Sequence, residues 1–142
     1  CTFEIMSTTT IRQNLHLIIS SGIVIPVAFV YGLFPKTILP QLLDFSVETT
    51  DLANVFRAIM GLYLAFAFLW ILGMLKPDYW KAATISNILF MAGLGFGRII
   101  SLLLDGFPSA VFFIGTAGEL VLAIFGMIQL QHYKAVIKNK IN

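Results

Sequence analysis

Ala82-Ala-Thr-Ile-Ser-Asn-Ile-Leu-Phe-Met-Ala-Gly-Leu-Gly-Phe-Gly-Arg98-Ile-Ile-Ser-Leu-Leu-Leu104 is followed at once by Asp105-Gly-Phe-Pro108 and then by a second apolar run from Ser109 to Tyr133. Each run exceeds the roughly 20 apolar residues that a bilayer-spanning helix needs. In the turn between them, Gly106 suits a helix C-cap and Pro108 a helix start. The two runs therefore predict an antiparallel transmembrane hairpin, and a charged residue, Arg98, lies inside it.

Two more runs lie upstream. Leu52 to Leu75 follows Thr50 and Asp51, either of which suits an N-cap, and it ends at Lys76-Pro77-Asp78. Tyr79 and Trp80 come next, where amphipathic rings sit at headgroup level. Leu15 to Phe34 contains Pro26, which predicts a kink, and Ser21 and Gly22 lie a turn earlier to accommodate the freed carbonyl. Gly32, Pro35 and Lys36 follow it in place of a small-residue cleavage site, so it reads as a retained span and not a signal peptide. Met6 to Arg12 reads like a natural start, with Cys1 to Ile5 ahead of it. Lys36 to Thr50 is too polar to span. Its Ile38, Leu39, Leu42 and Leu43 recur at helical spacing, which suits either a short interfacial helix or a loop whose leucines touch the bundle.

The composition agrees. Of 142 residues, 58% are hydrophobic and 11% charged. A soluble domain carries about 25% charged residues, so these figures argue against a soluble enzyme or a disordered chain. A net charge of +2 is too small for a nucleic-acid footprint. One cysteine can form neither an internal disulfide nor a thiolate metal cage. No catalytic triad or metal-ligand pattern appears, and no cofactor is expected. His16 and His132 at like ends of spans one and four would be the pair for haem ligation; two interfacial histidines without metal are the plainer account. The expected fold is all-α, a single integral-membrane four-helix bundle over residues 1–142, with spans near 15–34, 52–75, 82–104 and 109–133 and an interfacial helix after span one.

Lys and Arg outside the spans fall mostly on one side: Arg12, Lys76, Lys81, Lys134, Lys138 and Lys140, against Lys36 alone on the other. The positive-inside rule then places both termini in the cytoplasm. Asp44, Glu48, Asp51 and Asp105 fall on the outer side, in agreement.

Three ionisable residues lie within spans: Arg57, Arg98 and Glu119. A charge at a helix centre costs about 2.5–3.5 kcal/mol on insertion scales, so such groups face the bundle interior and pair. At about 1.5 Å per residue, the arginines lie about 8–9 Å and Glu119 about 15 Å below the outer ends of their spans. An Arg57–Glu119–Arg98 cluster is therefore expected, with Asn54, Ser101 and Asp105 on the same faces and hydrogen bonds added by Asn87 and Tyr63. Gly61, Gly93, Gly97, Gly115, Gly118 and Gly126 are expected at helix contacts, because small residues let helices approach closely in lipid.

Asn54-Val-Phe-Arg57-Ala-Ile-Met-Gly-Leu-Tyr63, Gly95-Phe-Gly-Arg98-Ile-Ile-Ser101 with Asp105-Gly-Phe-Pro108, and Gly118-Glu119-Leu120 resemble a family of small bacterial four-span membrane proteins described as domain of unknown function 4345. The resemblance runs from about Leu15 to Tyr133. It implies that Arg57, Arg98, Asp105, Gly106, Pro108 and Glu119 belong to the family pattern, and it implies no activity. Two functions fit these residues. One is a non-enzymatic structural or accessory subunit of a membrane assembly, held together by the Arg/Glu cluster. The other is binding or transport of a small anion or lipid headgroup at an outer-leaflet pocket beside that cluster. The partners expected are the bilayer, other membrane subunits, and a lipid or small anion, with no nucleic acid.

Overall fold

The structure, a computed structural model, describes residues 8–43 and 45–141, with side chains from Ile11 to Val136. The expected start at Met6 and the acidic Asp44 lie outside the described residues. The chain forms α1 (Thr8–Gly32), α2 (Pro35–Leu42), α3 (Thr50–Leu75), α4 (Pro77–Asp105) and α5 (Ala110–Ile141). Four of these are long and apolar enough to cross a membrane: Ile11–Gly32, Thr50–Leu75, Pro77–Asp105 and Ala110–Val136. The protein is an integral membrane all-α bundle.

The element boundaries have local causes. α1 continues unbroken through Pro26, whose ring lies on the exposed face. Pro35 opens α2 with a residue that has no N–H to lose, and the helix is real where the sequence left a loop as an alternative. Thr49, one residue ahead of the candidates Thr50 and Asp51, caps α3, its Oγ1 accepting from the Leu52 N–H at 3.1 Å. Pro77 starts α4 five residues before the expected Ala82, so Tyr79 and Trp80 are helical. Gly106, at φ 93°, ends α4 in a backbone region that suits glycine alone.

α1 packs along α3, α3 along α4 and α4 along α5, whereas α1 and α5 touch only sparsely. Lipid tails are as apolar as leucine, so packing and polar contacts, not apolar burial, must hold spanning helices together. The core supplies packing through aromatic rings. Phe90 lies 5.0 Å from Tyr63 and from Phe66, and 5.3 Å from the fully buried Trp70. Gly73 brings α3 against Ala83 of α4, so close that a Cβ there would collide with the Ala83 methyl.

Polar contacts concentrate at the end of the bundle that carries the termini. Trp80 Nε1 donates to Asn14 Oδ1 at 2.8 Å, His16 Nε2 and Thr84 Oγ1 share a hydrogen bond of 3.1 Å, and Gln129 Nε2 donates to the Arg12 carbonyl at 3.1 Å. The Trp80 ring also packs against Tyr133, tilted by 38° at 4.5 Å. These contacts tie α1, α4 and α5 together there. At the opposite end α2 folds over the bundle: its fully buried Leu39 joins Leu43, Val47 and Ala53 in a small second core, flanked by Tyr31, Phe56 and Phe112.

The substitution Gly73→Ala is expected to cost about 1–3 kcal/mol by overpacking. Gly93→Ala, where nothing lies within 4 Å of an added Cβ, is expected to be neutral or to gain up to about 1 kcal/mol from helix propensity. Unfolding of the two variants side by side in one detergent measures the contrast.

Candidate functional site

Arg98 and Glu119 meet across the α4–α5 contact. Arg98 Nη2 lies 3.0 Å from Glu119 Oε1, and the two side chains are only 25% and 13% exposed. On α5, Gly115, Glu119, Ala123 and Gly126 follow one another at helical spacing, and at about 100° per residue they share the face toward α4. Gly115 makes room for the guanidinium, because a Cβ there would stand 3.0 Å from Arg98 Nη1. The other face of Arg98 covers the Phe112 ring at 5.1 Å, a cation–π contact that favours the charged group in an apolar setting. Tyr31 of α1 and Arg98 line the same cavity. Glu119 Oε2 is buried and has no hydrogen-bond partner among the described residues.

Arg98 and Glu119 both line a cleft. Where α1 and α5 part, a cavity of about 500 Å³ opens between them. α1 contributes Ile23, Val24, Val27, Val30 and Tyr31 to its walls. α5 contributes Val111, Phe112, Ile114, Gly115, Gly118, Glu119 and Leu122. Met91, Leu94 and Arg98 of α4 form the back, Tyr63 of α3 reaches in, and Leu42 and Leu43 close the α2 end. Ile23, Val111 and Ile114 at the mouth are exposed, so the cleft opens sideways on the apolar surface of the bundle. Its size falls within the roughly 300–1,000 Å³ of ligand pockets, and its make-up fits them too: apolar walls with a few convergent polar groups.

The structure brings together Arg98 and Glu119 and leaves the other expected members apart. Arg57 is exposed, is absent from the cleft walls, and has no carboxylate within ion-pairing distance among the described residues. The reason is a competition between faces of α3. Ala53, Tyr63, Ala67 and Trp70 take the interior, and at about 100° per residue this turns Asn54, Gly61 and Ala65 to the far side and Arg57 to the flank. Asn54 is exposed accordingly. Ser101 donates to Asp105 Oδ2 at 2.9 Å, an exposed contact one turn apart at the end of α4. Of the expected packing glycines, Gly115 and Gly126 meet neighbours across helix contacts. Gly61, Gly93 and Gly97 face open space, and Gly118 lines the cleft with nothing within 4 Å of an added Cβ.

Asn87 is fully buried but makes no side-chain hydrogen bond among the described residues, nor do Ser20 and Ser21. With His16 and Thr84 these form a second polar group one turn nearer the termini than Val24 and Met91, which line the cleft. His16 is enclosed by Trp80 and Phe125, edge-on at 6.0 and 6.1 Å, while His132 is exposed. No grouping of three or more His, Cys, Asp or Glu comes together among the described residues. Sequence reasoning did not single out Tyr31, Ser20 or Asn14, although Asn14, Leu17, Ser21, Val24 and Ala28 mark one face of α1 at helical spacing.

Fold and site together define a four-span membrane protein with a lateral cleft beside a half-buried ion pair. The chain belongs to the family described as domain of unknown function (DUF4345), whose model matches residues 13–130. Neither a curated protein nor a solved structure matches it.

Arg98→Leu and Glu119→Leu made singly each strand a shielded charge and are expected to cost about 3 kcal/mol, whereas the double variant is expected to recover most of that loss. Arg57→Ala is expected to stay within about 0.5 kcal/mol of the parent. Reversible unfolding in mixed micelles, run as a double-mutant cycle, provides the check.

Proposed function

We propose that this protein is a non-enzymatic membrane protein that binds an amphiphilic molecule, taken up sideways from the bilayer into the cleft between α1 and α5. The observation that carries the reading is the pairing of an apolar 500 Å³ cleft with polar side chains in its wall, the Arg98–Glu119 pair and Tyr31. A headgroup would meet that set, and its chain would lie along Val24, Val27, Val30, Leu94 and Leu122. With both termini in the cytoplasm, as the distribution of Lys and Arg suggests, and the membrane a bacterial inner one, as the family resemblance implies, the cleft would draw on the outer leaflet.

A second reading, an accessory subunit of a membrane assembly, is favoured by a different observation. Gly93 and Gly97 lie exposed on α4 with nothing within 4 Å of an added Cβ, and such a face allows another helix to approach closely. The two readings are compatible, since the glycine face and the cleft are separate.

Gly118 offers the test. Gly118→Phe inserts a ring into the cleft from a position with no neighbour to displace, so the variant is expected to fold with unchanged or slightly higher stability. It is expected to lose the amphiphile that native mass spectrometry finds on the parent protein after gentle purification. Retention of that molecule at parental stoichiometry would sink the binding reading.

A further inference from the structure

A second cavity lies at the other end of the seam between α1 and α5. It encloses about 590 Å³ at the end of the bundle that carries the termini, between Arg12 and Gln13 of α1 and Ile128, Gln129, His132 and Tyr133 of α5. The two spans that meet here are Ile11–Gly32 and Ala110–Val136. Arg12 and Gln13 open the first, and His132 and Tyr133 lie in the last turn of the second, which is headgroup depth in a bilayer. Ile128 lies one turn deeper than His132, toward the acyl chains, and is exposed. Arg12, Gln13, Gln129, His132 and Tyr133 all carry hydrogen-bond donors, and no Asp or Glu among the described residues lines the cavity. Arg12 is exposed and has no carboxylate within ion-pairing distance among the described residues. The walls are held in place. Gln129 Nε2 donates to the Arg12 carbonyl at 3.1 Å, which joins α5 to α1, and Tyr133 packs against Trp80 of α4.

We infer that this cavity binds a phosphate group of net negative charge, that of an anionic phospholipid in the leaflet on the side of the termini. The guanidinium supplies a charge that nothing in the cavity walls offsets, so the complement is an anion. A phosphate presents several acceptor oxygens, which matches donors arriving from two helices, and Arg suits phosphate in particular. A zwitterionic head brings its own ammonium into walls without a carboxylate to receive it, and it leaves the charge of Arg12 uncompensated. The exposed Ile128 gives the acyl chain a surface directly below the head, which a phosphate without a chain does not use. Lys76, Lys81 and Lys134 are exposed at the same end of the bundle and draw anionic lipid toward it. Asp78, an acid at that end, does not line the cavity. The site is independent of the cleft, since neither Arg98 nor Glu119 lines it.

The test is native mass spectrometry of the parent protein in dodecyl maltoside, titrated with dioleoyl phosphatidylglycerol or dioleoyl phosphatidylcholine and read at the first lipid bound. The parent is expected to bind phosphatidylglycerol about fivefold more tightly than phosphatidylcholine, the size expected of one net charge beside one arginine. Arg12→Gln, a change at an exposed position, is expected to fold and to bind the two lipids equally. Lys134→Gln removes the same charge from the same end of the bundle but from outside the cavity walls, and it is expected to keep the preference. Gly118→Phe, which fills the cleft, is expected to keep it too, so failure here and failure of the cleft reading are told apart. Glycerol phosphate in large excess is expected to leave the lipid bound; displacement by it would overturn the lipid as the source of the phosphate. Equal binding of the two lipids by the parent overturns the inference. So does loss of the preference in Lys134→Gln to the same extent as in Arg12→Gln, or its loss in Gly118→Phe.

Discussion

Arg98 and Glu119 both lie within spans, and the contact between α4 and α5 is arranged around their pairing. Arg98 and Glu119 meet at 3.0 Å. Gly115 recedes to admit one side of the guanidinium, and Phe112 covers the other. The pair is not evidence of great stability, because two charges taken out of water return little net energy. Its effect is on geometry. It fixes how α5 lies against α4 and sets the pair in the wall of the space between α5 and α1.

That space exists because the bundle is joined unevenly. At the end bearing the termini, hydrogen bonds from Trp80, His16 and Gln129 tie α1 to α4 and α5. Toward α2, no comparable polar contact links α1 to α5 among the described residues, and the helices part. α2 closes the end of the opening with Leu42 and Leu43 and leaves its side free. The result is a blind cleft rather than a channel: Val24, Met91 and Leu122, all buried, line the part of it nearest the buried Ser20, Thr84 and Asn87.

The architecture was legible because spanning helices are set by length and hydropathy, and all four runs met that standard without help from tertiary contacts. Element starts were less so. Trp80 reads as a headgroup residue from its place after Lys76-Pro77-Asp78, yet it is 3% exposed, because its indole N–H finds Asn14, a partner 66 residues away. The pairing of Arg98 with Glu119 was within reach of depth arithmetic, since both lie inside spans joined by a short turn. The place of Arg57 was not. Depth alone puts it level with Arg98, and its face depends on which of two competing stripes of α3 turns inward. Bulky Tyr63 and Trp70 win that contest through rings contributed by α1 and α4, which no reading of α3 by itself reveals. The cleft was equally hidden, because it arises from where α1 and α5 fail to meet.

The central claim is that the gap between α1 and α5 is a binding site and not a packing defect that lipid seals at random. A structure determined in a lipid nanodisc tests it most directly. The account predicts elongated non-protein density between Val27 and Gly118, its polar end beside Arg98 and Glu119 with their contact preserved. Closure of α1 onto α5, with no density between the helices, would contradict it.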